Sequence, residues 1–411
     1  MNTHCVAAPF RNWVNTLSGK RRRRFAKAMR HDTGRATANR TIIILLGMIL
    51  PISGYAQTEP AADEPAEKKS VEGFMHAGLG SQFVSNTYLD DSKEWDVTFQ
   101  PSLDLELDFG KAFALGYTGG IEIYTQHTDL FYHGHEAYFI ANPTFGDGDE
   151  NEVIIMPYAG TGRNTDTFKS VNLFYAGISL GLDLTPSDLV FWSNSVRSEY
   201  RLFYENTPNS SLDTWVRSRL TLSFSTHTSI SPRIAYGYRY YPDPAMLAET
   251  PWDMQLAPGI RLAQGIGEYS GIWLDYEYLY TFNDNNLVVG EMLNAEMNFT
   301  GTDFMFSGHV LSAGGRRIFG EHWEGSLEAL YLKRIYSGLQ VLDDLGMPTG
   351  EGREDDRIGG QGMIKYELEA GAEGQILFST SLHYQYLRQI SNDAWFDTDL
   401  HVVSLVMSID L

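Results

Sequence analysis

Residues 95–109 read WDVTFQPSLDLELDF, and no other stretch of the chain constrains the fold as tightly. Its odd positions are Trp95, Val97, Phe99, Pro101, Leu103, Leu105, Leu107 and Phe109; its even positions are Asp96, Thr98, Gln100, Ser102, Asp104, Glu106 and Asp108. A period of two is the signature of a strand with one apolar face, because successive side chains leave a strand on opposite sides. Fifteen residues of unbroken alternation exceed the usual globular strand. The length suits a tilted strand that crosses a hydrocarbon layer, which takes about 9–11 residues plus overhang.

The same alternation recurs from Val71 to Leu411, and no segment there has the 3.6-residue period of an amphipathic helix. Strand-length segments fall at approximately 71–84, 95–109, 112–127, 171–185, 188–205, 214–228, 232–242, 251–264, 270–282, 304–318, 322–337, 356–370, 374–389 and 395–411. The connectors GKA, TPSD, SISP, GIGEY, GEH and AEG are short and occupy every second junction, whereas 128–170, 283–303 and 338–355 are long. A sheet with an apolar outer face in lipid must close, since each unpaired edge amide there costs several kcal/mol. The expected fold is therefore all-β: a transmembrane, antiparallel, up-and-down β-barrel of about 14 strands, with short turns on one rim and longer loops on the other.

The N-terminal region has a different character. A basic stretch running to Arg40 precedes the apolar TIIILLGMILPISG (41–54), and Gly54 and Ala56 then have the spacing a signal peptidase accepts. This predicts a secretory signal over 1–56, cleaved after Ala56, with Met29 as a second candidate start. RRRRFAK (21–27) shares its arginines with a twin-arginine signal, but the apolar run begins well downstream, so general secretion is preferred. Residues 57–70, QTEPAADEPAEKKS, read as a short disordered lead-in to a barrel over 71–411. Residues 1–56 hold ten of the 31 basic residues and one of the 52 acidic ones, so the remainder has a formal net charge of −30. Such a balance argues against a nucleic-acid partner. The only cysteine, Cys5, leaves with the signal, which excludes disulfide and thiol chemistry in the mature chain and a lipoprotein anchor.

The signal, the alternating strands, the two kinds of connection and a final alternating segment, LHVVSLVMSIDL (400–411), together resemble the Gram-negative outer-membrane β-barrel proteins as a class. Leu411 stands where that class usually ends on an aromatic residue. The resemblance implies a cell-outer-membrane location, periplasmic turns and extracellular loops. It also implies a last strand that closes against the first and serves in assembly. Outer-membrane lipid, lipopolysaccharide, periplasmic chaperones and the barrel-assembly machinery are the partners it implies.

Register follows once apolar sides are assigned to lipid. FYAGISLGLDL (174–184) sends Phe174, Ile178 and Leu180 outward and Tyr175, Ser179 and Asp183 inward. The same rule turns Arg197, Glu199 and Arg201, then Arg217 and Arg219, Arg233 and Arg239, and Arg261 to the interior. Elsewhere it places Asp96, Asp104, Glu106, Asp108, Glu122, Asp275, Glu277, Glu367 and Glu369 inside. A basic wall is thus expected to face an acidic one across a wet lumen, because unpaired charges are not tolerated in a dry interior. The bland reading of the same charges is that they pair off and stiffen the barrel.

The segment 128–170 is read as a loop able to fold inward. Its His133, His135 and Glu136 have a weak metal-site pattern, and two histidines at this spacing are more often simply solvated; no metal or cofactor is expected. Asp147, Asp149, Glu150 and Glu152 lack EF-hand spacing and fit at most loose divalent-ion bridging to lipopolysaccharide. Aromatic clusters at 238–246, 275–282 and 383–387 fit an interfacial girdle. The function expected is a porin-like channel for passive diffusion of small hydrophilic solutes. An accessory barrel for export or display of other proteins is the alternative. A barrel enzyme is less favoured, for no Ser, His and acid constellation is recognisable. A carrier of hydrophobic compounds would need a plug, and only fourteen residues (57–70) are available for one.

Overall fold

The computed structural model describes residues 71–85, 94–110, 112–146, 150–165, 169, 172–205, 207, 210–243, 251–282, 306–343, 347–370, 376–393 and 396–411. The signal and lead-in expected over 1–70, the loop 283–303 and Asp147 and Asp149 lie outside the described residues.

Seventeen strands form one antiparallel sheet. They are β1 (Val71–Val84), β2 (Asp96–Phe109), β3 (Phe113–Tyr124), β4 (Tyr132–Ala141), β5 (Thr144–Phe145), β6 (Asn151–Asn164), β7 (Leu173–Ser187), β8 (Val190–Phe203), β9 (Ser211–Ser223), β10 (Thr228–Tyr240), β11 (Trp252–Ile266), β12 (Ser270–Thr281), β13 (Ser307–Phe319), β14 (Trp323–Leu342), β15 (Pro348–Ala370), β16 (Ile376–Ser391) and β17 (Thr398–Asp410). β5 is a two-residue appendage of β6, and β4 pairs with β6 directly, so sixteen strands make the wall. Each pairs with its sequence neighbours, and β17 returns to β1, with Val402–Asp410 opposite His76–Val84. Two further backbone bonds between Met75 and Leu411 extend that seam, and His76 is hydrogen-bonded to Asp410 across it. The barrel is closed, with β17 sealing it.

The count of fourteen is corrected to sixteen because 128–170 is not a loop: it holds β4, β5 and β6. Its alternation carries only a broken greasy face, with Phe139 and Ile155 outward near the short-turn end and small or polar residues beyond them. On β4 the aromatic Tyr132 and Tyr138 point inward, while His133, His135 and Ala137 point out; on β6 the outward positions include Pro157, Ala159, Thr161 and Arg163. The loop expected at 338–355 shrinks likewise, since β14 runs to Leu342 and β15 begins at Pro348, with register shifts between Ile335, Gln340 and Leu342. The part of β15 expected as loop, 348–355, carries charges on both faces, at Arg353, Glu354 and Asp355, which hid its periodicity. SISP lies inside β10; the turn is Phe224–His227, where His227 takes a left-handed φ of 61°. Gly110, Gly267 and Gly320 occupy left-handed positions in three other tight turns, a conformation that glycine adopts without steric cost.

The outer face is apolar and exposed: Leu103, Leu105 and Leu107 on β2, Ile178 and Leu180 on β7, Ile260 and Leu262 on β11, Leu405 and Met407 on β17. Exposed aromatics ring both ends. Phe109, Phe113, Trp192, Phe224, Tyr269, Phe319 and Trp323 mark the short-turn rim; Trp95, Phe99, Tyr236, Tyr240, Tyr276 and Tyr280 mark the long-loop side. Apolar side chains inside are few, and one cluster of buried ones, Ala257, Leu279, Phe306, Leu332 and Tyr336, sits toward the long-loop rim.

Candidate functional site: an arginine band inside the barrel

Cross-strand register puts the arginines of four consecutive strands on the inner side. Arg217 stands opposite Ala235, Arg219 opposite Arg233, Arg233 opposite Gly259, and Arg261 opposite Asp275. Measured from the short-turn ends of their strands, all four lie about midway up. Arg197 on β8 is at a similar level, and Arg201 and Arg239 are higher, toward the long loops.

The higher group is a closed ion network. Arg201 Nε donates to Glu199 Oε1 at 2.6 Å and its Nη1 lies 3.0 Å from Asp213 Oδ2; Arg239 grips the same Asp213 at 2.7 and 2.8 Å. Arg197 reaches Glu199 at 2.5 Å and donates from Nε to the Tyr158 hydroxyl at 2.7 Å, and Tyr158 in turn donates to Glu199 at 2.8 Å. Arg239, Glu199 and Asp213 are buried. Each charge here has a partner, as burial requires.

The middle group divides in two. Arg233 is held by both oxygens of Asp275 at 2.6 Å and by Glu277 at 2.9 Å. By contrast Arg217, Arg219 and Arg261 are exposed, and among the described residues none of the three has an ion pair. Aromatic platforms carry two of them: the Arg217 guanidinium lies 5.4 Å from the Trp215 ring and that of Arg261 5.1 Å from Trp273. Each indole lies flat on the wall because the neighbouring strand offers a glycine. A Cβ on Gly237 would come within 2.6 Å of the Trp215 ring, and one on Gly314 within 2.4 Å of Trp273.

The acidic residues do not form the expected opposite wall as a unit. Asp275 and Glu277 stand beside the arginines and neutralise Arg233 laterally, because β12 is two strands from β10 and not across from it. Asp96 has no exposed surface: its carboxylate accepts from the Thr125, Gln126 and His127 amides at 2.9, 3.1 and 2.8 Å and from the Thr125 hydroxyl at 2.8 Å, so it anchors the β3–β4 connection. Asp104 and Glu106 remain on the inner side of β2, which is eight strands from β11 in the ring; Asp104 accepts from Thr118 at 2.7 Å and Glu106 from Tyr138 at 3.1 Å. Glu367 pairs with Lys365 at 2.6 Å, and with Glu369 it lies at the short-turn end of β15. Glu136 faces inward while His133 and His135 face outward, so the three do not converge on a metal.

No protein-family model matches the sequence, and no curated protein matches it. Among solved structures the chain is similar to Pseudomonas aeruginosa OprD, at 9% identity over 84% of this chain and 97% of that one with a TM-score of 0.45. It is also similar to Pseudomonas aeruginosa OpdL, at 10% over 83% and 98% with a TM-score of 0.46. A third is the outer-membrane protein OpdK of the same organism, at 10% over 83% and 98% with a TM-score of 0.43.

Sequence reasoning placed Tyr175 inward but missed the inner tyrosines of β4 and β6, Tyr138 and Tyr158. Tyr138 and Tyr158 lie buried against Gly116 and Gly177, and the half-buried Tyr175 packs on Gly160, a wall of rings beside the arginine band. The signal for it is the recurrence of tyrosine and glycine at alternate positions in YHGHEAY and YAGTG.

Proposed function

We propose that the protein is an outer-membrane channel through which small hydrophilic solutes diffuse passively, with Arg217, Arg219 and Arg261 as the charged band that solutes pass. The observation carrying this reading is that three exposed guanidiniums face the inside of a closed barrel with no ion pair among the described residues, while neighbouring arginines on adjacent strands, Arg201, Arg233 and Arg239, are paired. Free charge of this kind is stable only in contact with water, and a sixteen-strand barrel is of the size that encloses an aqueous channel. The apolar outer face and the two aromatic girdles favour a lipid setting. Export with cleavage after Ala56, contact with outer-membrane lipid and lipopolysaccharide, and delivery by periplasmic chaperones to the barrel-assembly machinery belong to the same reading.

Reconstitution of the purified, refolded protein into planar bilayers tests it. Discrete conductance steps are the expected outcome, and a barrel that inserts without conducting would leave an accessory or structural role instead.

A further inference from the structure

The outer wall is not uniformly greasy. Where β2 and β7 present Phe99, Leu103, Phe174 and Ile178, the strands between them present His133, His135, Thr161 and Arg163. The polar groups form a chain. The Tyr117 hydroxyl lies 2.7 Å from His135 Nδ1, His135 Nε2 lies 3.2 Å from His133 Nδ1, and Arg163 is the cross-strand partner of His133. Arg163 is exposed, lies 6.0 Å from the Tyr204 ring, and has no ion pair among the described residues.

Depth decides what such a chain can meet. A strand tilted as in other barrels climbs about 2.6 Å per residue. Counted from the paired Ala141 and Ile155 near the short-turn end, His135 is then about 15 Å up and His133 and its partner Arg163 both about 20 Å, in the upper part of the apolar band of about 25 Å in such barrels. The long Arg163 side chain therefore extends to the outer headgroup level beside His133, with His135 below the two. The wall under them is shallow, because Gly119, Ala137 and Ala159 stand where other strands carry leucine or phenylalanine.

We propose that this face binds the phosphate of an outer-leaflet lipid headgroup, with Arg163 and His133 as donors, His135 positioned beneath them by Tyr117, and an acyl chain lying over Ala137 and Ala159. The inference rests on the outer-membrane placement argued above, not on conduction. Charge decides between a lipid and a second copy of the chain. The outward carboxylates on the described strands are already engaged: Glu354 with Lys333, Asp356 with the Tyr331 hydroxyl, and Asp399 with Arg388. A second copy has no free carboxylate among them to offer three clustered donors, whereas a phosphate monoester supplies three acceptor oxygens and charge.

The test uses the refolded mature chain in lipid-free detergent at pH 7, titrated with bis-phosphorylated lipid A, with the same lipid fully dephosphorylated, and with inorganic phosphate. The expected result is at least tenfold tighter binding of the phosphorylated lipid and no binding of millimolar inorganic phosphate. That preference should vanish in the double variant His133→Gln/Arg163→Gln and persist in Arg388→Gln, an outward arginine elsewhere on the wall. Heat-modifiable electrophoretic mobility confirms that each variant is folded. Equal affinity for the two lipids, a preference surviving the double variant, or phosphate alone binding as tightly would each overturn the proposal. So would an oligomer of the wild type that the double variant dissolves, which would assign the face to a second copy. A wild type that never enters a bilayer would instead defeat the membrane placement itself.

Discussion

Two clusters of arginine inside this barrel use the same residue to opposite ends. At mid-height Arg217, Arg219 and Arg261 are exposed and have no ion pair among the described residues. Near the long-loop rim Arg334, Arg353 and Arg357 are the largest fully buried side chains of the described residues. Arg353 makes a two-pronged bond to Asp355 at 2.9 and 2.8 Å, with its guanidinium sandwiched 3.4 Å from the Phe396 ring and 4.9 Å from Tyr336. Arg334 reaches the same Asp355 at 3.1 Å, and Arg357 donates to Gln389 at 2.6 Å. The contrast teaches that inward register alone does not decide whether an arginine meets solvent: carboxylate partners and aromatic lids turn one cluster into a buried brace, while the other stays exposed.

The largest expected effect breaks the brace. Asp355→Asn removes the carboxylate from between two buried guanidiniums, and stranding buried charge in this way typically costs about 3–5 kcal/mol. A clear fall in the urea midpoint of the detergent-refolded barrel is the measurement, and an unchanged midpoint would show that the buried cluster is held by its stacking alone.

Next comes the band. Neutralising Arg217 and Arg219 together leaves stability within about 0.5 kcal/mol, as for exposed groups without partners. It should shift selectivity toward cations. A unit charge about 6 Å from a permeating ion in water-like surroundings is worth about 0.7 kcal/mol, or about threefold per arginine and about tenfold for the pair. Reversal potentials in a salt gradient report it, and an unmoved potential would place the pair off the permeation path. A subtler change sharpens the comparison: Gly237→Ala drives a methyl into the Trp215 ring and dislodges the platform under Arg217. Overpacking of this kind costs about 1–3 kcal/mol, so both the midpoint and the selectivity should move, whereas Asp355→Asn should move only the first.

How far the two regions were legible in the sequence follows from what each side chain faces. Strands with Leu, Ile and Phe outside, such as β2, β7 and β17, declare themselves by period, as does the inward register of Arg217, Arg219 and Arg261. The β4–β6 hairpin does not, because its tyrosines look inward and its outer face, beyond Phe139 and Ile155, is small or polar. Partners are the other illegible part. Arg233 and Arg261 look equivalent along the chain, yet β12 delivers two carboxylates to the first, and only the three-dimensional reach over β11 decides that. Asp96 was hidden for a related reason: its partners are backbone amides thirty residues away in sequence, which no side-chain pattern announces.

The smallest expected effect lies outside the wall, where Asp96 ties down the β3–β4 connection. His127 bridges two carboxylates there, with Nε2 2.7 Å from Glu94 and Nδ1 2.8 Å from Asp96. Partial burial disfavours its imidazolium, but the hydrogen bonds and charges of Glu94 and Asp96 outweigh that and raise its pKa above the ordinary 6.5. A group whose folded pKa is raised stabilises the folded loop fully below its unfolded pKa and loses that contribution as pH climbs through the folded value. The amides of Gln126 and His127, which donate to Asp96, should therefore lose protection against hydrogen exchange, at constant intrinsic rate, as pH rises from about 6.5 through the raised folded value. In His127→Gln that pH dependence should disappear. Protection that falls equally in the variant would mean that the Asp96 carboxylate and the backbone hold the loop without help from the imidazolium. The anchor would then resemble the Asp355 brace, stable wherever its carboxylate is ionised.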